Sequence, residues 1–481
     1  MTDLDLKKSE TLQDRLAQVV ELLERHKVIE ELTHRQEGAH QDLVENLVHR
    51  QNLVELQRKL EDLHPADIAH ILEALPLDDR LTVWQLVKTE RDGDILLEVS
   101  DAVRETLLAD MDDAEIIAAA RDLDADELAD LALELPDDVL HELMESLDAQ
   151  QRERVESVLA YEEDQVGALM DFEMVTIRND VTLEVVLRYL RRLKELPSHT
   201  DKLFVVDHGG ILQGVLPIKR LLVNDPDKLV ADVMADDADA VLFSPEQDGN
   251  EAAQAFERYN LISAPVVNSD GKLIGRLTID EMVDVIREES ETEVLNMAGL
   301  REEEDIFASV WKSLRNRWAW LAINLVTAFV ASRVIGVFED SIEKLVALAA
   351  LMPIVAGIGG NSGNQTITMI VRAMALDQVS PGHTWRLLRK ELGVGLVNGL
   401  VWGGVIGSVA WYLYNDPGLG VVMTAAMTLN LLLAALMGVM IPMTLSYLGR
   451  DPAMGASVMI TAVTDSSGFF IFLGLASLFL L

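Results

Sequence analysis

The spacing of hydrophobic residues changes character along the chain, and each change marks a different architecture. Up to about residue 160 apolar positions recur every three to four residues. Leu12, Leu16, Val19, Val20 and Leu23 share one helical face, and Leu43, Leu47, Leu53, Leu56 and Leu60 share another. Short helical stretches punctuated by Pro and Asp follow. The pattern of 64–78 recurs sixty residues later as 124–138, with a weaker copy starting at Asp112. Such a repeat predicts a small solenoid of stacked helix pairs. Then strand-like runs appear: 205–218 matches 266–279 at a constant offset of 61. Each copy reads as strand, Gly turn, strand and helix (219–222 and 280–287), preceded by a strand and an amphipathic helix (183–193 and 252–259). From Trp318 the apolar runs lengthen into five predicted spans, at about 318–338, 343–371, 388–414, 419–449 and 453–480. Each is long enough to cross ~30 Å of hydrocarbon.

Charge follows the same division. The 481 residues hold 81 Asp and Glu against 40 Lys and Arg. The first 315 residues carry 73 of those acids and 32 of the bases, so the whole net charge of −41 lies before the spans. Nucleic acid is excluded as a partner, because its binding rests on neutralising phosphates with Lys and Arg. What remains is a solvated acidic surface or one that concentrates cations. With no cysteine, disulfides and thiolate metal sites are excluded. The polar N-terminus has no apolar signal core, which predicts a cytoplasmic soluble part. Basic residues cluster before span 1 (Lys312, Arg315, Arg317), between spans 2 and 3 (Arg372, Arg386, Arg389, Lys390) and between spans 4 and 5 (Arg450). That alternation predicts an N-terminus inside and a C-terminus outside.

Two features inside the spans stand out chemically. Residues 352–365 sit in an apolar run yet carry four glycines together with Asn361, Ser362, Asn364 and Gln365. Glycines alone fit a helix-packing seam. The amides and hydroxyl add groups that lipid cannot satisfy, which favours a pore or substrate path. In span 5, Asp465 is the acid deepest in an apolar segment, and Ser457 and Thr461 lie two helical turns and one helical turn before it. No Lys or Arg is placed to pair it, so a cation is its expected partner. Candidate pore-lining residues are Gly357, Gly360, Asn361, Asn364, Ser457 and Thr461. An all-oxygen donor set suits a hard ion, and Mg2+, which keeps most of its water, suits one carboxylate surrounded by amides and hydroxyls. Between the soluble part and the spans a helical pattern carries carboxylates three and four residues apart: Asp280, Asp284 and Glu288; Glu281, Asp284 and Glu288; Glu289 and Glu293. Like charges at that spacing destabilise a helix unless a cation binds them, and a plain solvated helix is the alternative. No nucleophile–base pair or phosphate loop stands out, so an enzyme is not expected.

The repeat at offset 61 resembles a tandem pair of CBS modules. With the acidic helical region before it, the charged connector, the Gly359–Gln365 run in span 2 and Asp465 in span 5, the chain resembles the MgtE family of bacterial Mg2+ channels or transporters. The resemblance implies a multi-domain membrane protein with an all-α superhelical N-domain (41–166, after a helical extension over 1–40) and an α/β tandem CBS domain (167–288). A connector or plug helix (289–316) and a five-helix α transmembrane domain (317–481) complete it. It implies a homodimer in the bacterial inner membrane with Mg2+ as permeant and regulatory ion, Asp465 at the selectivity position, and closure by cytosolic Mg2+. It places the sensing carboxylates at Glu281, Asp284, Glu289 and Glu293, with Asp451 at the mouth of span 5. An ion-coupled transporter of another divalent cation such as Mn2+ or Co2+ is the alternative. ATP at the CBS pair is weakly supported, because the family's Thr-and-Asp nucleotide pattern reads Pro217/Arg220 and Thr278/Glu281 here. Asn260 is a further departure, at a sensor position.

Overall fold

The computed structural model describes residues 11–34, 53–87, 91–121, 123–236, 241–300, 305–375, 378–379 and 384–481. Leu43 and Leu47, and parts of the predicted 1–40 extension, lie outside the described residues. The chain forms two compact units, Met1–Glu289 with Asp305–Ala308, and Ser290–Glu304 with Ser309–Leu481.

The acidic region of the first unit is a helical solenoid with a short pitch. Helices begin at Pro65, Leu77, Asp101, Asp113, Ala125, Asp137 and Ala149, twelve residues apart except where one start shifts to Asp92. The sixty-residue offset visible in the sequence is therefore five of these steps. Part of the acid excess is used in the repeat itself. Asp112, Asp124 and Asp148 cap their helices, each in a reciprocal capping box with the residue three positions on. Helix Leu12–His34 joins this layer, because its Val19, Leu22 and Leu23 lie in one core with Ile68, Leu72, Ile95, Leu107 and Leu131.

Arginines, two of them buried, staple turns of the solenoid. Nε of Arg80, Arg104 and Arg152 donates to the carbonyl eight residues back, on Leu72 (2.9 Å), Leu96 (2.7 Å) and Met144 (2.7 Å). Arg104 also pairs with Asp130 (3.0 Å) and Glu134 (2.9 Å). Arg80, fully buried, pairs at 2.6 Å with Asp305, in the segment that precedes the first long apolar helix.

The CBS pair follows the predicted duplication. Strand β1 (Thr176–Arg178) runs parallel to β2 (Lys202–Val206), which pairs antiparallel with β3 (Leu212–Pro217), and β3 pairs with β4 (Ala235–Asp236). In the second copy β5 (Ser263–Val267) pairs antiparallel with β6 (Leu273–Thr278). Both hairpins shift register at equivalent points, Val205/Val206 and Val266/Val267. Their turns bond each other reciprocally: Leu212 N–H to Gly271 O and Leu273 N–H to Gly210 O, both 3.0 Å. Helix Ile279–Ala298 follows β6 without a break, so the connector grows directly out of the second copy.

The second unit holds five long helices, Val310–Val337, Ala347–Ala375, Thr384–Tyr414, Pro417–Tyr447 and Ala456–Phe479, at the positions of the five predicted spans. Among the described residues four of them are long and apolar enough to cross a membrane by length and composition, and the exception is Ala347–Ala375 with its Gly, Asn, Ser and Gln run. Spans 3 and 4 pack through glycines every fourth residue, Gly395, Gly399, Gly403 and Gly407. A Cβ on Gly399 would stand 2.6 Å from Thr428 Cα, and one on Gly407 2.4 Å from Gly420 O.

The arginine staples differ in what they hold. Arg80→Ala removes the guanidinium that offsets the burial of Asp305, a change that costs about 3–5 kcal/mol. Arg152→Ala costs about 1–2 kcal/mol, because its guanidinium bonds carbonyls alone among the described residues. Amide hydrogen exchange over 72–84 and 144–152 checks the ranking; equal losses would refute it.

Candidate functional site: a polar membrane path and a carboxylate cluster

The Gly-rich run of span 2 is regular helix throughout, passing through Pro353. Its carbonyls therefore stay in the helical ladder, and its side chains and glycine gaps carry the chemistry. The helix has two distinct faces. On one, Gly359, Gly360 and Gly363 are buried; a Cβ on Gly363 would meet Ile460 of span 5 at 2.3 Å, and one on Gly360 would stand 3.6 Å from Thr464 Oγ1. On the other, Gly357, Asn361 and Gln365 are exposed at four-residue spacing, with Asn364 half-buried beside them. Gly357 is fully open, with nothing within 4 Å of a Cβ built there. The packing seam and an exposed polar stripe are thus both present, on opposite sides of one helix, and Gly360 belongs to the seam.

Span 5 presents Ser457 (half-buried), Thr461 (exposed) and Asp465 (half-buried) at the same spacing. Thr461 Oγ1 donates to the Ser457 carbonyl at 2.8 Å. No cationic side chain acts on Asp465 among the described residues. At the start of this helix Asp451 is already engaged. Its Oδ2 accepts from Asn296 Nδ2 (2.7 Å) and its Oδ1 from the Ala453 N–H (2.8 Å). Gly455 N–H donates to Asn296 O (3.1 Å), and Met297 packs on Ala453, Ala456 and Ile460. The Trp320 ring wedges between Gly299 and Gly455, where built Cβ atoms would lie 3.2 and 2.0 Å from it; both glycines have positive φ. The end of the connector helix is seated on the head of span 5.

The first half of the connector helix carries the carboxylates. Burial, then Asp126, Asp280, Asp284 and Asp130, push Glu281 up to about 8. Asp126 is pushed up to about 7, by burial first and then by Asp171, and its Oδ1 is buried without a hydrogen bond. Burial, Asp101, Asp130, Glu163 and Glu289 raise Glu288, and burial followed by Asp280 raises Asp284 against the opposing pull of Arg287. Glu289 accepts from Asn250 Nδ2 at 3.2 Å, whereas Glu293 is half-buried further along, in the second unit. The sequence-predicted Glu281 therefore faces Asp126 and Asp130 of the solenoid, Glu288 faces Asp101 and Asp130, and Asp284 meets Asp280 and Arg287 of its own helix. Asp126 and Asp130 lie one helical turn apart, the spacing that singled out the connector acids. Asn260 is a left-handed C-cap (φ 52°) that ends helix Gly249–Tyr259, so its place in the sequence pattern has a backbone reason.

Among the described residues no three His, Asp or Glu side chains converge tightly enough to ligate a bare ion. A cation that keeps its own water spans such gaps, and Mg2+ does so habitually.

Comparison with known proteins fits each part. Residues 352–475 match the family model described as a divalent cation transporter (MgtE), 63–164 the MgtE intracellular N domain, and 230–288 the CBS domain. The magnesium transporter MgtE of Thermus thermophilus is 32% identical over 435 residues, covering 88% of this chain and 95% of that protein. The chain belongs to the MgtE family. The Bacillus subtilis magnesium transporter MgtE is 26% identical, over 88% of this chain and 93% of its own length. A crystal structure of the cytosolic domain of the Mg2+ channel MgtE in complex with ATP is 30% identical, with a TM-score of 0.45, covering 50% of this chain and 97% of that one. The fold is thus that of a multi-pass MgtE membrane protein with a helical N domain and a CBS pair.

A carboxyl whose proton is held more tightly in the folded than in the unfolded chain stabilises the fold fully below its unfolded value and loses that contribution as pH rises through the folded one. For Glu281 the window runs from about 4.5 to about 8. Glu281→Gln therefore matches wild type in thermal stability near the bottom of that window without divalent ions. It becomes progressively the more stable of the two toward the top. Millimolar MgCl2 closes the gap by stabilising wild type more. Melting curves of the full chain over that range check this; a gap independent of pH and Mg2+ would refute it.

Proposed function

We propose that the protein is a homodimeric Mg2+ channel of the bacterial inner membrane, closed by Mg2+ on its cytoplasmic side. The observation that carries this reading is the polar stripe left open on a single subunit: Gly357, Asn361 and Gln365 on span 2, and Ser457, Thr461 and Asp465 on span 5. Hydrocarbon satisfies none of these groups. A second copy set against the stripe encloses it as an aqueous path with two copies of Asp465, and the amides and hydroxyls recognise a hydrated ion through its waters. Mg2+ as the cargo is supported by relatives named magnesium transporters. Conduction, with no bond made or broken, needs nothing further from these residues.

The connector supplies the gate. At low Mg2+ the acids Glu281 and Glu288 repel Asp101, Asp126 and Asp130, and Asp284 adds its charge to the same helix. Bound Mg2+ cancels that repulsion and favours the compact state by differential affinity. Glu289, Glu293 and Asp451 extend the same regulatory set toward the head of span 5, where Asn296 and Trp320 hold the connector in its seat. The basic loops support an N-terminus in the cytoplasm and a C-terminus outside. A coupled divalent-ion transporter would need a second titratable group on the path. Among the described residues the buried acid in the spans, Glu391 on span 3, is paired with Lys390 at 2.9 Å.

Mg2+ flux into proteoliposomes tests both halves. Asp465→Ala lowers flux by at least about tenfold, the order expected when a path loses the charge that draws the ion in. Glu281→Gln shifts inhibition by cytoplasmic-side Mg2+ to higher concentration with maximal flux intact. Flux indifferent to Asp465 would overturn the pore. Flux indifferent to cytoplasmic-side Mg2+ would overturn the gate.

A further inference from the structure

Asn430 lies at the middle of span 4, completely buried, in a helix that the proposed path does not use. Its Nδ2 donates to the Val355 carbonyl of span 2 at 2.9 Å. Its Oδ1 is buried and has no hydrogen-bond partner among the described residues. Two glycines make room for it. A Cβ on Gly359 of span 2 would stand 2.2 Å from Nδ2, and a Cβ on Gly468 of span 5 would stand 2.8 Å from the same atom. One carboxamide therefore fills the space between the two helices that carry the polar stripe, two residues from Asn361 on one and three from Asp465 on the other. Leucine, with the same branched skeleton but bulkier methyls, would occupy that space without stranding an acceptor. What asparagine adds is direction: its bond to Val355 O fixes the rotation and height of span 2 against spans 4 and 5.

We propose that Asn430 is a positioning residue for permeation, a hydrogen-bonded spacer that sets the distance and register between the Asn361 face of span 2 and Asp465 of span 5 and thereby the ion preference of the path. It touches no ion. Recognition of a hydrated ion depends on the span of the site, because Mg2+ holds its first water shell rigidly and Ca2+ sheds or rearranges its own. A path whose walls lose their spacing loses its discrimination between the two before it loses conduction. The proposal rests on the reading of these helices as the ion path.

The test uses the full chain in proteoliposomes, with Mg2+ and Ca2+ as the probe ions, and a thermal midpoint for every variant. Asn430→Leu, which keeps the branched skeleton and removes the bond, lowers the Mg2+ to Ca2+ flux ratio by about tenfold while flux still requires Asp465. Gly359→Ala, whose methyl cannot coexist with the amide, loses flux. Adding Asn430→Ala to it restores flux, but with the altered ion ratio, because spacing returns without the bond. A wild-type ratio in Asn430→Leu, or Gly359→Ala as active and selective as wild type, overturns the proposal. If Asn430→Leu fails to fold, the alanine pair decides: no recovery of flux or thermal midpoint in the double variant relative to Gly359→Ala overturns it as well. Wild-type flux that Asp465→Ala leaves unchanged overturns the path reading instead. The alanine pair's coupling in the thermal midpoint then still shows whether the amide spaces the helices.

Discussion

Hydrocarbon offers no hydrogen bond, and the membrane half of this protein is arranged around that constraint. Each polar group in the spans must bond within its own helix, bond across to another, or face water. Thr424, Thr428, Thr461 and Thr464 take the first course and donate to carbonyls one turn back. Asn430 takes the second. Asn361, Gln365 and Asp465 take neither, and they occupy the face that a lone subunit leaves open. The glycines make this sorting possible. On the inner face of span 2 they let span 5 approach closely enough to exclude lipid and water, which confines the wet groups to the opposite side.

In the soluble half the corresponding constraint is repulsion among carboxylates, and the protein handles it in two ways. Some acids have a buried arginine partner, Asp305 in Arg80, Asp130 and Glu134 in Arg104, and Asp171 in Arg276 at 2.7 Å, though Asp130 and Asp171 still raise the proton affinity of their acidic neighbours. Others, Glu281, Asp126 and Glu288 above all, meet like charge with no comparable internal cation, and their raised proton affinity is the physical sign of that deficit. A proton relieves it one charge at a time. A divalent ion relieves two at once, and its concentration, unlike pH, varies with the quantity that such a transporter controls.

Much of this was legible in the sequence, because the relevant signals are periodic or compositional. The duplication at offset 61 gave both hairpins, down to matching register shifts, and the apolar runs gave five helices close to their ends. The solenoid was legible only coarsely. Residues 64–78 and 124–138 are similar because their caps and turns coincide, but the twelve-residue step between them is carried by single capping residues and buried arginines too sparse to register as a repeat. Asp126 resembles its solvated neighbours until the fold sets Asp171 and the connector acids beside it. Asn430 looks like one polar residue in an apolar span, and nothing local says that Val355, Gly359 and Gly468 will surround it. Long-range partners leave no trace in spacing.

The buried Asn430 and the unneutralised Glu281 are instances of the same principle, one in each of the two units. Each leaves a polar group short of partners in a place where a better-satisfied residue would make a more stable protein. At Glu281 the deficit is exposed to solvent exchange, so an ion can fill it and leave, which suits a sensor. At Asn430 it is sealed between three helices, so nothing can fill it, and what the residue retains is geometric definition. Regulation by a cation requires the first kind of deficit. Discrimination between cations of equal charge requires a path whose width does not relax around whichever ion enters, and that asks for rigid, directional contacts of the second kind behind its walls.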